Sequence, residues 1–275
     1  GVGRICLTLG EYAPWYMVFP VAVIAGGIFG AAWAFIPAYL QAKRGSHIVI
    51  TTIMFNFIAA SLMAYLLVDI LKPETTMATE SRVFAQGSWL PKMHELFAVF
   101  GINVAPSPLN ISFIFALLCC VFVWLFIWHS RWGYEIRSIG ANASAASYAG
   151  INYLKIIVIT MLLSGMLAGF FGINVLQGEL HQIKLNFVEG FGFTGIAVAL
   201  MGRNHPVGVV LASLLFGFLY QGGAELSFDY GVDRNIVVVL QGLVILFSGA
   251  LEYMFKPSIE RIYLRLFGKQ EHGVA

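Results

Sequence analysis

Within otherwise apolar runs, this sequence places a few side chains able to hold a solute by hydrogen bonds: Thr52 and Asn56, one helical turn apart, then Asn174, Gln177, Thr194 and Gln241. All are uncharged. Beside Phe55, Phe57, Phe191 and Phe193 they suit a ring-bearing, neutral polar solute such as a nucleoside or sugar. Each can equally hydrogen-bond a neighbouring helix, with the phenylalanines facing lipid, and for any one residue that reading stands open. Covalent chemistry has no comparable foothold. There is no GxxxxGK(S/T) phosphate cradle, no HExxH, no GxSxG and no His/Asp/Glu cluster at ligand spacing, so no catalytic centre, metal or cofactor is expected. Cys6, Cys119 and Cys120 make no CxxC or Cys/His pattern, and His129, His181 and His205 stand at the ends of apolar runs as interfacial polar groups.

Composition dictates what must carry these groups. Hydrophobic residues make up 59% of the 275 and charged residues 11%, against about 25% charged in soluble domains. Mean hydropathy is +0.81. Lipid is therefore the expected surroundings. The net charge of +2 is small and scattered, which excludes a nucleic-acid partner. A crossing of the ~30 Å hydrocarbon layer takes about 20 apolar residues as a helix. Tyr16–Leu40, Ile48–Val68, Ile111–Trp128 and Ile156–Leu176 qualify, none with a charge. Phe191–Met201 and Val207–Tyr220 are shorter, and Ile236–Leu251 is a further span. The expected fold is an all-α, polytopic transmembrane bundle of about seven membrane segments. The short pair reads as two tilted spans around the turn Gly202–Pro206, or as a re-entrant hairpin. Gly1 to Gly10 read as the middle of a longer chain, so one or more N-terminal spans are expected to be missing.

Orientation follows from loop charge, since Lys and Arg concentrate on the cytoplasmic side. One alternating set of loops holds ten basic residues, Lys43, Arg44, Arg131, Arg137, Lys155, Arg203, Lys256, Arg261, Arg265 and Lys269, against four acidic ones. The other set holds six basic against ten acidic. The first set is placed inside, which leaves the C-terminus and a tail at 256–275 cytoplasmic and makes 1–255 the membrane domain. Outside lies 72–110, broken by Pro73, Pro91, Pro106 and Pro108, with a short helix expected near Met93–Phe100. It reads as a passive loop or as a docking surface for an extracytoplasmic partner.

The spans lack the Asp, Glu, Lys or Arg that an ion-coupled carrier uses, so energy must arrive at an inside surface. The loop 129–155 is the candidate. Its sequence from His129, HSRWGYEIRSIGANASAASYAGINYLK, is longer than a turn and rich in small residues. Gly140 and Gly150 bracket an alanine-rich stretch in which Ala145 and Ala146 favour helix, with Asn142 or Ser144 available as its cap. One short helix along the membrane face is expected, either a seat for another protein or a compact connector.

GANASAASYAGI (140–151) resembles the G-x-N-x-x-A-A-x-x-x-G-I cytoplasmic loop of ATP-binding-cassette (ABC) importer permeases of the branched-chain amino acid and simple sugar group. GAAWAFIPAYLQAKRGSHIVITTIMFNFIA from Gly30 and GFGFTGIAVALMGRNHPVGVVLASLLFG from Gly190 resemble the nucleoside and simple-sugar branch, in the same order. Departures are Ala38 for the usual Gly, Gln41 for Lys, and His47-Ile48 for Glu-Val; a role of that Glu does not transfer to His47. The resemblance implies a permease of the bacterial-type cytoplasmic membrane with no ATP site of its own. It implies a cytoplasmic ATPase dimer seated on Gly140, Asn142, Ala145, Ala146, Gly150 and Ile151, a second permease subunit, and an extracytoplasmic substrate-binding protein. The solute path is expected along Thr52, Phe55, Asn56, Asn174, Gln177, Phe193, Thr194 and Gln241. The small faces Gly26/Gly30 and Gly165/Gly169 suit either a second permease or packing within the chain.

Overall fold

A computed structural model describes residues 2–71, 79–99, 101, 108–185, 187–188, 190–231, 233, 235–236, 238–244 and 246–247. The chain divides into two compact units, Gly1–Glu189 and Gly190–Ala275, each described here by itself. Among the described residues the secondary structure is helical, apart from two isolated bridges, Glu80 with Lys184 and Lys92 with Asn110. Among the described residues five helices are long and apolar enough to cross a membrane, with Phe191–Met201 as a shorter apolar helix, so the expected count of about seven segments is not confirmed.

In the first unit α1 spans Val2–Leu9, α2 Trp15–Arg44, α3 Ile48–Tyr65, α4 Met93–Val99, α5 Ser112–His129, α6 Arg131–Ala141, α7 Ala143–Tyr148 and α8 Tyr153–Ile173. The short helix expected near Met93–Phe100 is α4. Helix α2 ends where Gly45 turns left-handed (φ 64°), its N–H bonding to the Gln41 carbonyl, with Lys43 and Arg44 against the negative end of the helix dipole. α3 and α8 both finish in wider π-helical turns, Leu66–Leu71 and Asn174–Leu180. Sequence periodicity does not distinguish such turns from α-helix.

Helices α2 and α8 cross antiparallel along glycines. A Cβ on Gly30 would lie 2.2 Å from the Gly165 carbonyl oxygen, and one on Gly169 would lie 2.1 Å from that of Gly26. The two small faces therefore meet each other inside the chain, which decides between the two uses they were suited to. Backbones approach closely because no side chain intervenes. At one end of this pair a dry cluster forms from Val2, Cys6, Ala22, Leu67, Phe84, Leu90, Ile173, Leu176 and Ile183. Elsewhere large apolar side chains stay exposed, with Ile24 at 63%, Phe57 at 65% and Leu118 at 61%. That surface has lipid as its natural solvent.

The second unit contains α9, Phe191–Met201, and α10, Pro206–Tyr230. Both helices of this pair were expected to be short, and α9 keeps its expected bounds while α10 runs past the expected end at Tyr220. α10 has 25 residues and reaches the length of a span, whereas α9 has 11 and rises about 16 Å, half the apolar layer. Their turn is tight because Gly202 and Gly208 touch: a Cβ on Gly208 would lie 2.2 Å from the Gly202 carbonyl oxygen. Val198, Ala212 and Phe216 fill the gap between the two helices. The expected span Ile236–Leu251 is helical wherever assigned between 235 and 247, and lies partly outside the described residues, as does the loop 72–110. The tail 256–275 lies wholly outside them.

Candidate functional site

The loop between α5 and α8 holds two helices rather than the one expected. Ser130 turns the corner after α5: its hydroxyl donates to the Phe126 carbonyl (2.6 Å) and accepts from the Gly133 N–H (3.0 Å). Gly133 has to be glycine there, since a Cβ would lie 2.2 Å from the Ile127 carbonyl oxygen. α6 then runs to Ala141 and breaks at Asn142, whose backbone is extended (φ −159°, ψ 107°). Of the two candidate caps Asn142 does the work, its Oδ1 accepting from the N–H groups of Ser144 (3.0 Å) and Ala145 (3.1 Å).

Helix α7 closes on Gly150, left-handed at φ 81°, with the Ile151 N–H returning to the Ala146 carbonyl (3.1 Å). Asn152 then caps α8 by accepting from the Lys155 N–H (3.2 Å). Asn142, Ala145, Ala146, Gly150 and Ile151 thus belong to α7 and its two ends, while Gly140 lies in the last turn of α6. Ala146 is its inner anchor, 5% exposed, while Ala145 faces out and Tyr148 is 93% exposed. The outward face is small side chains around one aromatic ring.

The polar groups expected along a solute path fall into separate places. On α3, Thr52 is half-buried and its hydroxyl donates to the Ile48 (2.9 Å) and Val49 (3.0 Å) carbonyls; Phe55 meets Trp33 edge to face at 5.8 Å; Asn56 is exposed. Asn174 and Gln177 sit in the wide turns after α8. Taking Trp33 opposite Phe55 and Gly26 opposite Gly169, they lie roughly 20 Å from the α3 group along the helix axis, at 1.5 Å per residue. Asn174 Oδ1 accepts from Asn110 Nδ2 (3.2 Å) and the Ser112 hydroxyl (2.6 Å). Gln177 is fully buried, with Nε2 3.1 Å from the Cys6 sulfur and its carbonyl accepting from the Leu90 N–H (3.0 Å). In the second unit Phe193 is 71% exposed and Thr194 and Gln241 are half-buried.

Around Gln177 the segment 80–92 docks on 177–184, and apart from Gln177 and His181 the sequence reading assigned these residues no site role. The Ser81 N–H bonds to the Ile183 carbonyl (3.0 Å), the Phe84 N–H to that of His181 (2.7 Å), and the Gln182 amide to Glu80 (2.9 Å). Trp89 stacks on His181 with ring centroids 4.1 Å apart. Burial pushes the His181 imidazole below its usual value, the Gln177 carbonyl opposes this, and Lys92 adds to the lowering. Burial also pushes the Cys6 thiol up to about 11, against its contact with Gln177, so the sulfur stays protonated. Asn110, two residues before Ser112 at the head of an apolar run, carried a legible N-cap pattern; the Trp89–His181 stack had no sequence signal.

The profile of the branched-chain amino acid transport system / permease component family matches residues 2–249, nearly the whole chain. The chain belongs to that family. Among curated relatives, this permease-family chain is 36% identical to the guanosine ABC transporter permease protein NupP of Bacillus subtilis, over 85% of its own length and 65% of the relative's. It is 33% identical to the glucose ABC transporter permease protein TsgB13 of Haloferax volcanii, over 87% and 63% respectively. It is 32% identical to the nucleoside ABC transporter permease protein NupB of Lactococcus lactis, over 85% and 64%. The permease chain therefore spans somewhat under two thirds of the length of these relatives. No solved structure matches it.

Proposed function

We propose that the chain is the membrane-spanning permease subunit of an ABC importer that moves a nucleoside or a related simple sugar across the cytoplasmic membrane by alternating access. The observation that carries this reading is helix α7 in a chain of this family: a short, Asn142-capped helix with an outward face of small side chains. Small side chains allow another protein's groove to close over the helix, so force applied there passes through α6 and α8 to the bundle. ATP is hydrolysed by a partner ATPase dimer, since the chain carries no phosphate-binding loop. A second permease, identical or paralogous, and an extracytoplasmic binding protein complete the importer. The basic loops and the C-terminus face the cytoplasm.

Solute choice rests on the polar groups and on the relatives. Thr52, Phe55 and Asn56 would serve the inner part of the path, Asn174 the outer part with Gln177 buried behind it against Cys6, and Phe193, Thr194 and Gln241 the half-membrane segment and its neighbour. Short membrane helices of this kind aim backbone groups at ligands. Relatives named for guanosine, nucleosides and glucose support a neutral, ring-bearing solute. A ribose-like sugar or a branched-chain amino acid is the alternative within the group.

The test is ATP-dependent uptake of labelled nucleoside by the reconstituted full-length permease with its ATPase and binding protein. Ala145→Arg, on the exposed face, should abolish uptake while leaving the bundle folded; Ala146 is the poorer probe because it is buried. Uptake that survives Ala145→Arg in an intact complex overturns the coupling role. Flux through the permease alone, without ATPase, would favour a self-sufficient carrier.

A further inference from the structure

Away from the coupling loop, a cavity of about 290 Å³ opens between α1, the end of α3 and the segment after it, lined by Arg4, Leu7, Glu11, Ile70, Leu71, Arg82, Val83 and Ala85. Its volume is at the low end of ligand pockets, about 300–1,000 Å³, the scale of a headgroup. Arg4, Leu7 and Glu11 stand on one face of α1 and its C-terminal turn, at helical spacing. The ion pairs among the described residues, Arg131 with Glu135 and Lys184 with Glu80, involve neither Arg4 nor Arg82. Two guanidinium groups thus share a cavity with one carboxylate.

Depth identifies what reaches such a place. Ile70 and Leu71 end the apolar helix 48–71, whose 24 residues rise about 36 Å. That slightly exceeds the hydrocarbon layer of about 30 Å, so the cavity lies at the headgroup level. Tyr12 and Tyr16, exposed by 86% and 58%, flank Trp15 at the start of the antiparallel α2 at the same end. Such aromatics mark a membrane–water interface. The walls are two-sided: Leu7, Ile70, Leu71 and Val83 offer an apolar side, while the charges offer a cationic pair and a single anion.

We infer that this cavity is a binding site for a zwitterionic phosphoethanolamine headgroup, its phosphate held by Arg4 and Arg82 and its ammonium by Glu11. Guanidinium groups are matched to phosphate oxygens, and an ammonium supplies three donors to a carboxylate. The glycerol headgroup of phosphatidylglycerol would offer Glu11 only neutral hydroxyls, leaving the carboxylate without a counter-charge. The apolar wall continues toward the acyl chains, so the source is membrane phosphatidylethanolamine. The site stands independently of the transported solute.

The test is thermal unfolding of the full chain in detergent after adding phosphatidylethanolamine, phosphatidylglycerol, or free O-phosphoethanolamine. Phosphatidylethanolamine should raise Tm by about 3 °C and the other two should do less. Arg4→Gln/Arg82→Gln should erase that gain, and Glu11→Gln should reverse the preference toward phosphatidylglycerol. All three side chains are exposed, so the lipid-free Tm serves as the control for folding, with Arg4→Lys keeping part of the gain. Equal gains from both lipids in the wild type, or a gain that survives the double substitution, would overturn the site. An equal gain from free O-phosphoethanolamine would overturn the membrane as its source.

Discussion

Two residues carry functions that their types alone leave open. Asn142 is the cap that separates α6 from α7, and its Ala variant forfeits about 1 kcal/mol of local helix stability. That lowers the folded population of a six-residue helix by about fivefold relative to its frayed state. Asn142→Ala should therefore cut ATP-dependent uptake severalfold in reconstituted vesicles while the global Tm barely moves. His181 makes a pH prediction. Its folded pKa lies below the ordinary 6.5, chiefly through burial, so between those two values the unfolded chain binds the extra proton. Stability is full above about pH 6.5 and falls as pH drops toward the folded value. His181→Asn keeps a residue that tolerates the left-handed backbone at φ 53° and does not titrate there. Melts from pH 7.5 to 5 should show a shallower loss of Tm for the variant than for the wild type. The sequence placed His181 at a span end and read it as an interfacial polar group. Its stack on Trp89, 92 positions away, arises only when 80–92 folds over the end of α8.

At the scale of elements, the α2–α8 crossing is the strongest physical constraint. With the Gly165 carbonyl 2.2 Å from a hypothetical Cβ on Gly30, the obstruction is backbone and cannot rotate aside. Gly30→Ala should cost about 1–3 kcal/mol, read as a lowered Tm in detergent. Gly172→Ala on the same α8 meets nothing within 4 Å and should be neutral or raise Tm slightly. The small-xxx-small spacing was legible in the sequence. Its partner was not, because such a face is equally smooth toward its own chain and toward another. Helix lengths were legible for α2, α3, α5 and α8 through long uncharged runs. For α10 the run extends to Tyr230, past Glu225 and Asp229, so a reading that stops at charges cuts it short.

For the whole molecule, topology is the property to test first. In a background with Cys6, Cys119 and Cys120 replaced by Ala, Tyr148→Cys should react with a membrane-impermeant maleimide only in inside-out vesicles. Val83→Cys should react in intact cells. Both positions are well exposed in the chain, 93% and 61%, so the labelling is done on the permease expressed without partner subunits, where the membrane sets which side reacts. Labelling of both from the same side would contradict the charge-based orientation and with it the proposed seat for a cytoplasmic ATPase on α7.

By itself the sequence determined that this is a helical membrane protein of the permease family, because lipid solvation demands long uncharged runs and because three ordered motifs survive in it. It also narrowed the cap of α7 to Asn142 or Ser144 and bracketed the helix with glycines, because its hydrogen bonds run between residues two to five apart; the structure chose Asn142 and split the loop into two helices. Tertiary structure alone decided that Gly26/Gly30 meets Gly165/Gly169 and that Asn174 and Gln177 are tied to Asn110, Ser112 and Cys6. Each of those depends on which backbone surfaces come together across tens of residues, and a neutral polar side chain in an apolar run looks the same whether its partner is a solute or the next helix.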